Sequence, residues 1–297
     1  MNENAVSAKT TKSRKRKKSK MADIWRLYKK RKTSIIGLVI FGVILFLVLF
    51  APLFASKESV TAMDWSAVLK PPSAGHVFGT DNLGRDIFAR VIWGGRNSLS
   101  IGMISMVCAL AMGVIIGSLC GYFGGVFDQI IMRVLDVLKS IPTTVLALAI
   151  VAALGASKTN LILAIMIAQT PAQTRLVRSA VIGIAGREYF EAARACGTST
   201  PRIIFKHIVP NCVGTVIIQA SMAVAQMILQ AASLSFIGMG IQPPAPEWGA
   251  MLSGARDYMT TAPWMMIFPG LFIMLSAYSF NLIGDGLRDA LDPKLRT

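Results

Sequence analysis

The stretch IIGLVIFGVILFLVLFAPLF, Ile35–Phe54, contains 20 consecutive uncharged residues and decides the structural class of this protein. A helix of that length spans about 30 Å, which matches the hydrocarbon core of a bilayer. A secretory signal peptide has a shorter apolar core, of about 7–15 residues. We therefore interpret this stretch as a retained membrane-spanning helix.

The composition of the whole chain leads to the same class. Of the 297 residues, 54% are hydrophobic and only 15% are charged, and the mean hydropathy is +0.56. Soluble domains carry about 25% charged residues. A soluble fold of this size has too little interior for so much apolar surface, so the sequence predicts an all-α integral membrane protein.

Further uncharged stretches predict five more spans, which form a five-helix transmembrane core over residues 98–287. Residues 55–97, between the first two spans, are predicted to be an extracytoplasmic loop. The fourth span is the weakest by hydropathy, because it is short and contains Pro171. The six predicted spans are residues 35–54, 99–120, 140–157, 159–174, 212–236 and 258–284.

Lys and Arg residues are unevenly distributed between the segments that join these spans. With the N-terminus inside, the predicted cytoplasmic segments hold 24 of them and the outer segments hold seven. Cytoplasmic segments of membrane proteins are enriched in these residues. We therefore predict a membrane protein with both termini in the cytoplasm (N-in/C-in) and a cytoplasmic tail at residues 288–297.

The net charge of +16 belongs mostly to the N-terminal segment, because residues 1–32 hold 13 basic and two acidic residues. We predict a disordered basic tail at 1–20 and an interfacial amphipathic helix at 21–34, next to anionic lipid headgroups. RNA binding by the run Arg14–Lys18 is the alternative. That run contains no aromatic residue on which a base could stack, so no nucleic-acid partner is expected.

The predicted spans contain no Asp, Glu, Lys, Arg or His. Proton-driven carriers usually need such groups within the membrane, so this absence argues against an ion-coupled carrier. Gln219, Gln226 and Gln230 are spaced by seven and four residues and share one face of the fifth span. They either line a polar path for a peptide backbone or form hydrogen bonds between helices.

The sequence contains no recognisable catalytic or energy-converting motif. It lacks a G-x-x-x-x-G-K-[ST] phosphate loop, an HExxH zinc pair and a GxSxG nucleophile elbow. His76 and His207 have no set of partner residues around them, and the four cysteines show no metal-binding spacing. We predict a non-enzymatic protein without cofactor or metal, whose energy comes from another chain.

Residues 188–211, EYFEAARACGTSTPRIIFKHIVPN, form the most distinctive polar segment, within a predicted cytoplasmic loop at 175–211. The residues around Glu191 favour a helix, and Gly197 can end it with a positive φ. Pro201 suits the first turn of the next helix, and Pro210 marks the entry to the fifth span. The pattern predicts a compact helix–break–helix element on which another protein can pack.

This segment resembles the cytoplasmic signature of the permease subunits of bacterial ABC importers, which is EAA, three residues, Gly, nine residues and Ile-x-Leu-Pro. His207 and Val209 stand where the family has Ile and Leu, which are modest departures. The resemblance implies that this segment couples the permease to a separate ATPase. The residues assigned to that coupling are Glu191, Ala192, Ala193, Gly197, Pro201 and Pro210.

Two other blocks resemble the C-type subunit of the dipeptide/oligopeptide/nickel branch of this family. They are GTDNLGRD at Gly79–Asp86, with Gly95–Leu99 behind it, and GDGLRDALDP at Gly284–Pro293. The alternative reading of the first block is turn chemistry, with glycines at tight bends and Asp81 or Asp86 as a cap. We assign these blocks no contact with a substrate.

The resemblance implies an importer subunit that forms half of the translocation pathway for dipeptides or oligopeptides. It further implies a second homologous permease subunit, two ATP-binding subunits and an extracytoplasmic substrate-binding protein. Transport of nickel or another small solute by the same branch is the alternative. A passive channel or an ion-coupled carrier is a further alternative, which requires no ATPase.

Overall fold

The computed structural model describes residues 24–185 and 197–291. In this part of the chain the structure is helical, with short turns such as Ala51–Phe54 and Thr200–Ile203 between longer helices. Residues 24–30 are also helical. The longer helices are α1 (Lys32–Leu49), α2 (Ile87–Phe123), α3 (Gly125–Ser140), α4 (Thr143–Leu154), α5 (Lys158–Ala185), α6 (Val209–Phe236), α7 (Trp248–Ala255) and α8 (Trp264–Leu291).

Four helices, α1, α2, α6 and α8, are long and apolar enough to cross a membrane. The pair α3 and α4 adds a fifth crossing if it is counted as one bent span. Helix α5 has 28 residues and is about 42 Å long, but its Gln, Thr and Arg residues lower its hydropathy. The predicted all-helical membrane protein is confirmed, while the count of six spans stays a prediction.

Helix α2 begins much earlier than the sequence indicated. Residues 87–97, predicted to be loop, form its first three turns. The carboxylate of Asp86 caps the helix by accepting a hydrogen bond from the Ala89 backbone N–H at 2.8 Å. Arg90 and Arg96 made this stretch look like a loop, but each donates to a backbone carbonyl, of Val60 and Val48.

Helix α5 likewise continues past the predicted end of the fourth span. Residues 175–185, assigned to the cytoplasmic loop, are helical. Arg175 and Arg178 suggested a loop because charged residues rarely lie within spans. Both are instead held by Asp residues of α3, so the helix extends to Ala185 before the segment of the coupling signature begins.

The third predicted span, 140–157, contains one helix, α4, which is shorter than predicted and covers only Thr143–Leu154. Ile141 is extended and separates α3 from α4, and the two helices meet at 87°. The cause is Pro142, since the residue before a proline is disfavoured in the helical conformation. Helix α4 is consequently only 12 residues long.

Helices α2 and α5 pack closely along a row of glycines. Gly113, Gly117 and Gly121 repeat every fourth residue and face α5. A Cβ at Gly117 would lie 2.6 Å from the Thr174 carbonyl oxygen, and one at Gly121 would lie 2.8 Å from Val181. Small residues at this spacing let two membrane helices approach until their backbones are in contact.

Polar contacts define two ends of the bundle. At the terminal end, Arg31 before α1 pairs with Asp289 near the end of α8. At the loop end, the Trp264 indole N–H donates to the Thr80 carbonyl at 3.1 Å, and Asn97 donates to the Pro246 carbonyl at 2.9 Å. The start of α1 and the end of α8 therefore lie together.

Candidate functional site

The predicted coupling element is described only in part. Glu191, Ala192 and Ala193 lie outside the described residues. Gly197 has a φ of +72°, in the left-handed region, as predicted for a residue that ends a helix. Pro201 is the second residue of the helical turn Thr200–Ile203.

The path from this turn into α6 is helical throughout, and Pro210, predicted to mark the entry to the fifth span, lies in the first turn of α6. Ile204–Ile208 form a single wide π-type turn that joins Thr200–Ile203 to α6. Pro210 is the second residue of α6 and has no N–H to donate to the preceding turn. A wide turn accommodates that missing donor, so the chain enters α6 without an interruption.

The turns Thr200–Ile203 and Ile204–Ile208 pack on an apolar cluster that is separate from the main core. Ile203, Ile204 and Ile208 are buried against Val177 and Val181 of α5. A cavity of about 120 Å³ lies beside them, lined by side chains of α2, α5 and α6. The last turns of α5 and the segment that enters α6 therefore pack on one apolar cluster.

Helix α3 is fastened to the same part of α5 by two ion pairs. The guanidinium of Arg178 donates to both carboxylate oxygens of Asp128, at 2.6 and 2.5 Å. Arg175 pairs with Asp136 two turns further along α3. Bidentate Arg–carboxylate pairs are among the strongest side-chain hydrogen bonds, so α3 braces the last turns of α5.

The three predicted glutamines do not share one environment. Gln230 is buried and joins three helices: it accepts a hydrogen bond from Gln169 of α5 at 2.8 Å and donates to the Thr143 carbonyl of α4 at 3.3 Å. Of the two predicted roles, Gln230 therefore has the second, which is hydrogen bonding between helices. Gln219 and Gln226 are exposed on the surface of α6.

The GTDNLGRD block forms a compact cap at the loop end. Asp81 is buried and accepts hydrogen bonds from the backbone N–H groups of Leu83 and Arg85 and from the Arg85 guanidinium. Gly79 and Gly84 have φ values of +76° and +72°. With Asp86 capping α2, the predicted turn chemistry is confirmed.

Asp64 extends this cap. Gly84 leaves no room for a side chain because its backbone packs against that of Asp64. Hydrogen bonds from the Ser66 hydroxyl and backbone N–H hold the pKa of the Asp64 carboxyl below its usual value. Among the described residues, no group of three or more His, Cys, Asp or Glu side chains is arranged to hold a metal ion.

Comparison with known families decides what this helical bundle is. Residues 113–297 match the binding-protein-dependent transport system inner membrane component. Residues 19–72 match the N-terminal transmembrane domain of oligopeptide transport permease C. The chain belongs to this family. It is a permease subunit of an ABC importer, a multi-pass inner membrane protein and not an enzyme, and such systems include an ATPase and a binding protein.

Three relatives resemble this permease over nearly its whole length. The dipeptide transport system permease protein DppC of Alkalihalophilus pseudofirmus is 45% identical, over 93% of this chain and 90% of its own. The di/tripeptide permease protein DppC of Pseudomonas aeruginosa is 43% identical, with coverages of 94% and 93%. The glutathione permease protein GsiD of Pectobacterium atrosepticum is 40% identical, with coverages of 93% and 91%.

One solved structure also resembles this permease. A chain of the MetNI methionine ABC transporter, in an inward-facing conformation, aligns with a TM-score of 0.56 and 17% identity. It covers 68% of this permease and 97% of its own length. At that identity the likeness concerns the fold alone.

Sequence reasoning missed three residues that join the helices. Asp128, Arg178 and Gln169 were not singled out, because pairs 50 and 61 residues apart have no local signature. The glycine row of α2 was readable, since a four-residue repeat of Gly in an apolar stretch indicates a packing face of this permease.

Proposed function

We propose that this permease carries short peptides, as the C-type subunit of an ABC importer. The observation that carries the proposal is the likeness to the dipeptide, di/tripeptide and glutathione permeases, at 40–45% identity over more than nine-tenths of the chain. The substrates that give these three relatives their names are peptides of two or three residues. Nickel is the alternative cargo of the branch, and the uptake experiment described below includes it.

The proposed assembly contains this chain, a second homologous permease subunit, two ATP-binding subunits and an extracytoplasmic binding protein. The binding protein delivers the peptide to the outer face of the permease pair. ATP binding closes the two ATPases, and the coupling element passes that movement to α5 and α6. Access to the pathway then changes from outside to inside.

The proposed coupling residues are Glu191, Ala192, Ala193, Gly197, Pro201 and Pro210. Three features of the described residues support a mechanical role for this element. The helix before the element and the segment after it meet one apolar cluster, at Val181 of α5 and Ile208 before α6. The Asp128–Arg178 pair holds α5 against α3. Gly197 has the positive φ of a turn within the element.

The proposed topology has six crossings with both termini in the cytoplasm. The contact of Arg31 with Asp289 supports it, because it brings the start of α1 and the end of α8 to one side. An even number of crossings follows. Helices α1, α2, α5, α6 and α8, with α3 and α4 together as one bent crossing, give six.

The exposed amides of Gln219 and Gln226 are the proposed pathway lining. They lie along α6, which is one of the apolar helices long enough to span the membrane. An amide exposed to lipid within a span would leave its hydrogen-bonding groups unsatisfied. A water-filled pathway or the second permease therefore fits this face better than lipid does.

Uptake measurements test the proposed cargo. The permease is expressed with its proposed partner subunits in a strain that lacks its own peptide importers, and uptake of labelled dialanine, glutathione and nickel is compared. Uptake of a peptide that requires ATP and the binding protein is expected. Nickel uptake without peptide uptake would reassign the cargo, and peptide uptake without any ATPase would indicate an ion-coupled carrier.

Thiol labelling tests the proposed topology. The native cysteines are replaced by serine, and single cysteines are placed at Lys70 in the loop-end cap and at Gly183 near the end of α5. A membrane-impermeant reagent added to intact cells is expected to label the first position and not the second. The reverse pattern would invert the topology.

A further inference from the structure

A cavity of about 630 Å³ at the loop end belongs to none of the features assigned above. It lies between the segment that follows α1, the first turns of α2 and the loop Pro244–Pro246. Ligand sites in proteins occupy about 300–1,000 Å³. The cavity is therefore large enough for a small polar molecule or for the headgroup of a lipid.

The lining of this cavity carries both positive and negative charges. Lys57 and Arg96 supply two positive charges, Glu58 supplies one negative charge, and Trp93, Asn97 and Thr61 complete the polar wall. Within the described part of the chain, the side chains of Lys57 and Glu58 form no hydrogen bond or ion pair. Both charges are therefore available to a ligand.

Arg96 is fixed at this position by the protein itself. Its Nε and Nη2 donate to the Val48 and Leu49 carbonyls at 3.0 and 2.8 Å, at the end of α1. Its guanidinium also stacks over the Trp93 ring at 4.4 Å. Nη1 retains its donors, so a preorganised cation lines the cavity at low entropic cost.

The approach to the cavity is apolar and exposed. Leu49, Phe50, Leu53 and Phe54 directly precede Lys57 and present large hydrophobic side chains, of which Leu53 is 76% exposed. In a membrane protein such a surface contacts acyl chains. The charged lining and Trp93 then lie where acyl chains give way to headgroups, the level at which Trp, Lys and Arg are enriched.

We infer that this cavity binds the headgroup of a phospholipid. Lys57 and Arg96 hold the phosphodiester, and Glu58 pairs with the ammonium group of an ethanolamine headgroup. The acyl chains lie against Leu53 and Phe54. This inference does not depend on the cargo, so a wrong substrate assignment would leave it standing.

Site-specific photocrosslinking in the assembled transporter tests the inference. Benzoylphenylalanine replaces Thr61, which lines the cavity, or Met63, which is exposed but outside its lining. In nanodiscs that contain phosphatidylethanolamine, lipid adducts at position 61 are expected to exceed those at position 63 at least fivefold. Equal labelling at the two positions would overturn the inference.

Charge variants identify the residues that bind. Lys57→Gln and Glu58→Gln are each expected to reduce the adduct at position 61 severalfold, while Lys70→Gln, an exposed lysine of the same loop outside the cavity, leaves it unchanged. All three variants are expected to retain the wild-type melting temperature. Unchanged adduct yield in Lys57→Gln would overturn the inference.

Soluble competitors distinguish the sources of the same chemistry. Millimolar glycerophosphoethanolamine is expected to leave the lipid adduct intact, because it lacks acyl chains to contact Leu53 and Phe54. Displacement by this compound would indicate a site for water-soluble phosphates. An adduct formed with a photolabelled dipeptide in place of lipid would assign the cavity to the cargo and overturn the lipid inference.

Discussion

Asp128 on α3 accepts two hydrogen bonds from the guanidinium of Arg178 on α5, from Nε at 2.6 Å and from Nη2 at 2.5 Å. The two residues are 50 positions apart and belong to helices that otherwise make limited contact. Arg178 lies about two turns before Ala185, the last described residue of α5. The pair therefore connects α3 to the last turns of α5, the helix that precedes the proposed coupling element in the sequence.

Replacing Asp128 with Asn is expected to weaken this connection. The Asp128 side chain is largely buried, and a hydrogen-bonded charge pair contributes about 1.5–3 kcal/mol to the free energy of unfolding. We expect a lower melting temperature of the purified transporter and a loss of transport-coupled ATPase activity. Asp136→Asn is the matched control, because that pair is about half-exposed and contributes less than about 1 kcal/mol. Equal effects of the two variants would contradict the prediction.

Gly117→Val is expected to disrupt the packing of α2 against α5. The new side chain would begin 2.6 Å from the Thr174 carbonyl oxygen, and a helix backbone cannot move aside as a flexible side chain can. Overpacking of this kind costs about 1–3 kcal/mol. Gly183→Val on α5 is the control, since no atom of the described residues lies within 4 Å of a Cβ there. Melting temperatures of the two variants, read by tryptophan fluorescence, test the difference.

Gly197→Val is expected to impair coupling through backbone conformation alone. Within the described part of the chain no atom lies within 4 Å of a Cβ at this position, but its φ of +72° is strained for a β-branched residue. Gly197→Asn is expected to retain more activity, because Asn adopts this conformation more readily. Peptide uptake and coupled ATPase activity are measured at equal membrane insertion. Wild-type activity in the Val variant would show that this turn is not needed.

Gln230→Leu is expected to separate α4 from α5 and α6. The change removes the acceptor for Gln169 and the donor to the Thr143 carbonyl, each worth about 0.5–1.5 kcal/mol. Gln226→Leu alters an exposed amide on the same helix and is expected to preserve the melting temperature. A thermal shift assay in detergent compares the variants. An unchanged melting temperature for Gln230→Leu would be inconsistent with a role in joining the helices.

Sequence reasoning succeeded where the signal was local. Residues 35–54 correspond to α1 and the turn after it because an uncharged stretch of that length has no favourable place outside lipid. The positive φ of Gly197, Gly79 and Gly84 was also predictable, since glycine tolerates that conformation best. Sequence reasoning failed at Arg90 and Arg178, where charge was read as the absence of helix.

The sequence by itself determined the membrane class, the family and the position of the coupling signature, because uncharged stretches and spaced motifs are properties of neighbouring residues. Only the tertiary structure decided that charged residues extend α2 and α5, and that Gln230 joins helices while Gln226 does not. Each of these depends on a partner distant in the sequence. The free energy of a buried charge or amide is set by that partner and not by the residue alone.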